Sequence, residues 1–135
     1  MPIESRTVDA IFVEIAQMVG AWVNGGTADA GTSTTLDDDL LIYPNTDQLK
    51  DYHLAIRDGA NEGVFRHITA FTPAPDRITF SPAMPSPIDT SSKYEVLRPG
   101  WDGSVCLQAV DAAIRRVYHR MYEKHVDSTL VMQDL

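Results

Sequence analysis

Apolar positions recur along this chain at two different periods. From Val8 onward they fall at helical spacing, with Val8, Ile11, Phe12, Ile15, Val19 and Trp22 forming one stripe. The stripe predicts a helix from about Thr7 to Val23. Thr7 is placed to cap its start, and Asp9 in the first turn suits the helix dipole. Asn24-Gly25-Gly26 supplies the residue types that end helices. Ala10, Ala16 and Ala21 leave room for a close neighbour. A second stripe, Leu107, Val110, Ile114, Val117, Tyr118 and Met121, predicts a helix capped by Ser104 and running to about Lys124. The two helices are expected to pack together through Ile11/Ile15/Val19 and Val110/Ile114/Val117.

Between them the period drops to two. Tyr52, Leu54 and Ile56 share one face of an extended segment, and His53, Ala55 and Arg57 share the other. Gly59 and Gly63 bound a turn. The return strand places Val64, Arg66, Ile68 and Ala70 opposite Phe65, His67, Thr69 and Phe71. Arg77 to Phe80 buries Ile78 and Phe80. In the last strand Tyr94 and Val96 face in, and Lys93, Glu95 and Arg98 face out. Pro73-Ala74-Pro75-Asp76 turns the chain, and the proline-rich 81–87 cannot be a central strand, because proline gives no ladder hydrogen bond. An edge strand is expected near Thr32 to Leu36. Asp37-Asp38-Asp39 reads as a solvated acidic turn, because adjacent side chains of an extended strand diverge and the spaced ligands of a calcium loop are missing.

These readings give one α+β domain over residues 1–135. A small antiparallel β-barrel or sandwich (27–98) is inserted between an N-terminal helix (7–23) and a C-terminal helix (104–124), with an extended arm at 125–135. The arm carries Val126, Leu130, Val131, Met132 and Leu135 without helical period, so it is expected to dock on a partner.

Composition narrows the function. A net charge of -8 argues against a protein whose main task is gripping nucleic acid. The charge is uneven: residues 27–100 carry 11 acidic and 6 basic side chains, a net of -5, whereas 101–135 carry 5 and 4, a net of -1. The lone Cys106 forms no internal disulfide, no apolar run is long enough for a membrane span, and no secretion signal is read at the start. The chain is therefore expected to be made in a cytoplasm. Arg115, Arg116, His119, Arg120 and Lys124 form a basic helix face that fits two readings, contact with phosphate or an acidic partner surface, or simple solvation.

Catalytic chemistry is not evident. His53 and His67 are the closest to a metal pair, as cross-strand neighbours, but a third ligand is missing. His119 and His125 point apart, and Cys106 has no base beside it. Nucleophile elbow, P-loop and dinucleotide fingerprint are all absent. No catalytic, cofactor or metal residue is assigned, and no enzyme is expected.

One ordered set of short motifs goes further. Gly31-Thr32-Ser33-Thr34-Thr35-Leu36, Asp58-Gly59-Ala60-Asn61-Glu62-Gly63, Arg66-His67-Ile68-Thr69-Ala70-Phe71, Thr79-Phe80-Ser81-Pro82-Ala83-Met84-Pro85 and Tyr94-Glu95 follow one another over about 70 residues. The set resembles a β-barrel module found in structural proteins of tailed bacteriophages. A leading helix and a following helix that opens Leu107-Gln108-Ala109-Val110-Asp111-Ala112-Ala113-Ile114-Arg115 are similar to head-to-tail connector (adaptor or neck) proteins. The resemblance implies a virion scaffold without catalytic residues or cofactor. Its copies, commonly twelve, form a ring beneath the portal protein, with a C-terminal arm on the portal and a neck, stopper or tail protein on the other side. DNA would pass through without tight binding, and no membrane is involved. Interface candidates are Arg115, Arg116, Arg120 and Lys124 on the basic face, with Val126, Leu130, Val131, Met132 and Leu135 on the arm. The alternative is a tail or head-fibre module that recognises carbohydrate, with Tyr43, Tyr52 and Trp101 as its aromatic candidates.

Overall fold

A computed structural model describes residues 8–103 and 107–117, with the backbone alone for 8–10. The chain is α+β. Helix α1 (Val8–Met18) is followed by β1 (Trp22–Thr27), β2 (Ala30–Gly31), β3 (Thr35–Asp37), β4 (His53–Asp58), β5 (Phe65–Thr72), β6 (Arg77–Ser81) and β7 (Lys93–Leu97). A second helix, α2, covers 107–117. All seven strands lie in one antiparallel sheet ordered β1-β7-β4-β5-β6-β3-β2.

That order forces the sheet to curl. In a flat sheet its outer strands would lie about 29 Å apart, six steps of about 4.8 Å. Yet β1 and β2 are consecutive in the chain, and the three steps from Thr27 to Ala30 span at most about 11 Å. Three bulges, between Trp22 and Asn24, Ile56 and Asp58, and Ile68 and Ala70, supply extra twist and bend. No ladder joins β1 to β2, so the expected barrel is not closed by hydrogen bonds. The covalent link through Ala28 and Asp29 brings the two ends round instead.

The concave side holds the main core. Leu36, Leu41, Leu49, Leu54, Ile56, Ile68, Phe71, Ile78, Phe80, Tyr94 and Val96 are its larger buried members. A smaller cluster sits on the convex side, where Phe12, Val13, Ala16 and Ala21 meet Ala55 and Leu97, flanked by Phe65, Trp101 and Leu107. The Phe12 ring meets Phe65 edge-on at 5.4 Å and Trp101 at 5.8 Å.

Several expectations are corrected. The first helix stops at Met18, because Gly20 adopts a left-handed φ of 75°. Ala21 N–H then reaches Ala16 C=O at 2.8 Å and Gly20 N–H reaches Gln17 C=O at 3.3 Å, which is a Schellman cap. Asn24-Gly25-Gly26 therefore belongs to a strand. The expected edge strand near Thr32 to Leu36 is a small hairpin of β2 and β3. In β5 the alternation breaks at the bulge: Thr69 is the extra residue, so Ile68 and Phe71 both enter the main core. Glu95, expected outside, is largely buried, and Leu97 beside it is fully buried. Of the pairing expected through Ile11/Ile15/Val19 and Val110/Ile114/Val117, three members are not buried: Val19, Ile114 and Val117 are 60%, 50% and 59% exposed. Helix α1 packs on the sheet and on Trp101 instead.

Candidate functional site

The residues of the ordered motifs meet in space, and their contacts are structural. Asn61 is buried in the β4–β5 turn. Its Nδ2–H donates to Ser86 C=O at 2.9 Å, and its Oδ1 accepts Ser86 N–H at 3.0 Å. This two-way clamp ties the Asp58–Gly63 turn to the proline-rich loop. Gly31 has no room for a side chain, because a Cβ there would lie 2.8 Å from Ile88 Cβ and closer still to Thr35 C=O. Arg66 donates from Nη2 to Ala83 C=O at 3.1 Å and from Nη1 to Phe65 C=O at 2.8 Å. Arg66 thus joins its motif to the Thr79–Pro85 motif, while Asn61 and Gly31 tie theirs to the flanking Ser86 and Ile88.

The acidic run is not a solvated turn, contrary to expectation. Asp37 receives a two-pronged bond from Arg77, at 2.7 and 2.8 Å. Asp38 is 2% exposed; its Oδ2 accepts the Tyr94 hydroxyl at 2.6 Å and its Oδ1 accepts Leu40 N–H at 2.8 Å. Burial, reinforced by Asp38, pushes the Tyr94 phenol far above its ordinary value. The neighbouring Glu95 lies on the other face of β7. It accepts the Trp22 indole N–H and, at 3.0 Å, an Arg57 Nη1 bond. Gly25 and Gly26 of β1 make room for both carboxylates. A Cβ on Gly25 would collide with Glu95, and one on Gly26 would lie 2.8 Å from Asp38 Oδ2.

Two concave regions follow from this framework. A groove of about 450 Å³ runs over β1, β7 and β4, lined by Gly25, Gly26, Arg57, Asp58, Lys93 and Glu95 among others. Its cations are paired, Arg57 with Glu95 at 3.0 Å and Lys93 with Asp58 at 3.2 Å. The hydrogen bond from Lys93 holds the Asp58 carboxyl below its ordinary value. A second depression of about 320 Å³ is lined by His53, Phe65, Arg66, His67, Ser81, Pro82 and Asp102. His53 and His67 are cross-strand partners, as expected, with ring centroids 5.6 Å apart. His67 Nε2 lies 3.4 Å from Asp51. Burial lowers the His53 pKa, Asp102 opposes that, and His67 reinforces it. Among the described residues no three His, Cys, Asp or Glu side chains are placed to share a metal ion.

The predicted interface residues divide. Arg115 and Arg116 are exposed on α2, Arg115 bonded to Asp111 one turn earlier at 2.9 Å. Arg120, Lys124, Val126, Leu130, Val131, Met132 and Leu135 lie outside the described residues, as do Ser104, Cys106, His119 and His125. The aromatic candidates for carbohydrate do not form a platform. Tyr43 packs edge-on against Phe71, Tyr52 packs on the main core, and Trp101 packs on Phe12. Sequence reasoning missed the uncovered apolar side chains of Met18, Leu40 and Ile42. Leu40-Leu41-Ile42 carried the signal: in a loop an apolar run cannot bury every member, and only Leu41 enters the core.

The described residues thus define an α+β protein whose buried polar groups position backbone and whose surface includes the exposed apolar side chains of Met18, Val19, Leu40, Ile42, Ile114 and Val117. No described helix is long and apolar enough to cross a membrane. No family model, curated protein or solved structure matches the chain.

Proposed function

We propose that this chain is a virion structural protein of a tailed bacteriophage, a head–tail adaptor whose copies form a ring around the DNA channel between portal and neck. The observation that carries the reading is that strands of the ordered motifs pair in a single curled sheet while both helices keep apolar side chains uncovered. The curled sheet, with its ends joined by Ala28 and Asp29, is the counterpart of the barrel module that the resemblance implies. The exposed Ile15, Met18, Val19 and Trp22 near β1, and Ile114 and Val117 on α2, are candidates for the two apolar surfaces. A ring needs two such surfaces, because a head-to-tail contact joins different faces of successive copies. The acidic net charge suits a wall that DNA slides past. Arg115, Arg116, Arg120 and Lys124 would face a neighbouring protein.

Reconstruction of particles assembled with this chain tests the reading. Density for a ring of copies between portal and tail is the expected result; particles that assemble fully without the chain overturn it.

A further inference from the structure

The curled sheet leaves its two edges in different states. Beside β2 the turn that follows it is held: Met84 N–H donates to Ser33 C=O at 2.6 Å, Ile88 N–H donates to Thr32 C=O at 3.1 Å, and the Ile88 side chain lies against Gly31. At β1 the sole strand partner among the described residues is β7.

Which groups face outward follows from the ladder. Ala28 N–H donates to Ser92 C=O at 2.9 Å, extending the β1–β7 register by one step. Hydrogen-bonded residues alternate in an antiparallel pair, so Gly26 and Asn24 also turn toward β7. Gly25 and Thr27 therefore turn their N–H and C=O groups to the outer edge. The Gly25 N–H is occupied by the side-chain oxygen of Asn24 at 2.8 Å. No described backbone hydrogen bond outside the β1–β7 ladder uses Thr27. The strand, Trp-Val-Asn-Gly-Gly-Thr, has none of the lysines, prolines or inward charges that guard natural edges. Exposed Ile15, Met18, Val19 and Trp22 precede or begin it.

We infer that the outer edge of β1 is a strand-acceptor site, plugged by the Asn24 side chain until an extended segment displaces it, and that the segment is the stretch 126–132 of a second copy. The chain continues for 18 residues beyond the described part of α2, from 118 to 135. Extended, that length reaches about 60 Å, ample to cross to a neighbouring copy. Val126-Asp127-Ser128-Thr129-Leu130-Val131-Met132 carries one charge, and its Thr and Val favour extended backbone. Leu130 and Met132 would share one face, suited to the apolar side chains beside β1. Main-chain bonds at Gly25 and Thr27 would supply affinity and that apolar pair the register. Donation by a second copy rests on the ring proposed above; the acceptor edge does not.

The test uses the full chain with Leu130→Asp and Val131→Asp, which disables its own segment, as recipient for a labelled synthetic peptide of residues 124–135. Anisotropy is expected to show saturable binding. Thr27→Pro removes an outward N–H that β7 does not use, and is expected to weaken binding at least about tenfold. Asn24→Ala unplugs Gly25 and is expected to tighten it about fivefold, the worth of one displaced hydrogen bond. Circular dichroism of each variant separates loss of binding from loss of fold. Absence of peptide binding, or binding indifferent to Thr27→Pro in a folded variant, overturns the acceptor site. A natural chain that remains monomeric by light scattering at every concentration, while its Thr27 amide is protected from exchange, overturns donation by a second copy. Neither result bears on where the protein sits in a particle, so failure here and failure of the adaptor reading are distinguishable.

Discussion

The concave and convex sides of the sheet are built to different degrees of completeness. The concave side encloses aromatic and aliphatic side chains from five of the seven strands, β3 to β7, and satisfies its buried polar groups, Asp38, Asn61 and Ser92 among them. The convex side is a thin layer. Phe12, Val13, Ala16 and Ala21 cover Ala55 and Leu97, and beyond Val110 the described apolar side chains of α2, Ile114 and Val117, meet solvent. Apolar area left in water forgoes about 25 cal/mol per Å². Among the described residues one side is complete and the other keeps apolar side chains uncovered, a contrast that fits the assembly proposed above.

The comparison can be broken first at its strong side. Phe71→Ala empties the centre of the main core and is expected to cost about 3–5 kcal/mol in denaturant unfolding. A cost below 1 kcal/mol would mean that the concave side is not the source of stability. On the convex side, Gly103→Ala is expected to cost about 1–3 kcal/mol, because the added methyl would overlap the Phe65 ring. Near-ultraviolet dichroism of Trp101 should change in this variant, and an unchanged spectrum would show that the layer yields without strain.

A smaller effect is expected from pH. Burial holds the His53 pKa below its ordinary value of 6.5. Between the two values the unfolded chain binds more protons than the folded one, so stability present above about pH 6.5 is lost as pH falls through the folded value. His53→Gln should flatten that part of a pH–stability profile. An NMR titration that placed His53 above 6.5 would reverse the sign.

The smallest effects sharpen the contrast most. Val19→Ser, Ile114→Ser and Val117→Ser are each expected to change stability by no more than about 0.5 kcal/mol, while lowering self-association measured by sedimentation. A loss above about 1 kcal/mol at any of them would mean that the side chain is already covered within its own chain, and the convex side would not be the open one.

How much of this was legible before folding differs from residue to residue. Strands β4 to β7 could be read because their apolar alternation and bounding Gly and Pro residues are local signals. Asn24-Gly25-Gly26 could not, since glycine after an amphipathic stripe signals a helix end. Here the glycines answer instead to Glu95 and Asp38, which approach β1 from opposite faces. Likewise the alternation of β5 was read correctly up to Ile68 and inverted after it, because a bulge is decided by the partner strand β6. Asp38 looked solvated because its partner, the Tyr94 hydroxyl, is 56 residues away.

By itself, then, the sequence determined an α+β chain with helix-period ends and a strand-period centre, since backbone periodicity and turn chemistry act over a few residues. The tertiary structure alone decided that the sheet curls, which carboxylates are buried, and that β1 pairs only with β7 among the described strands. Those outcomes depend on groups far apart in the chain, whose approach is set by packing and hydrogen bonding once the strands have paired.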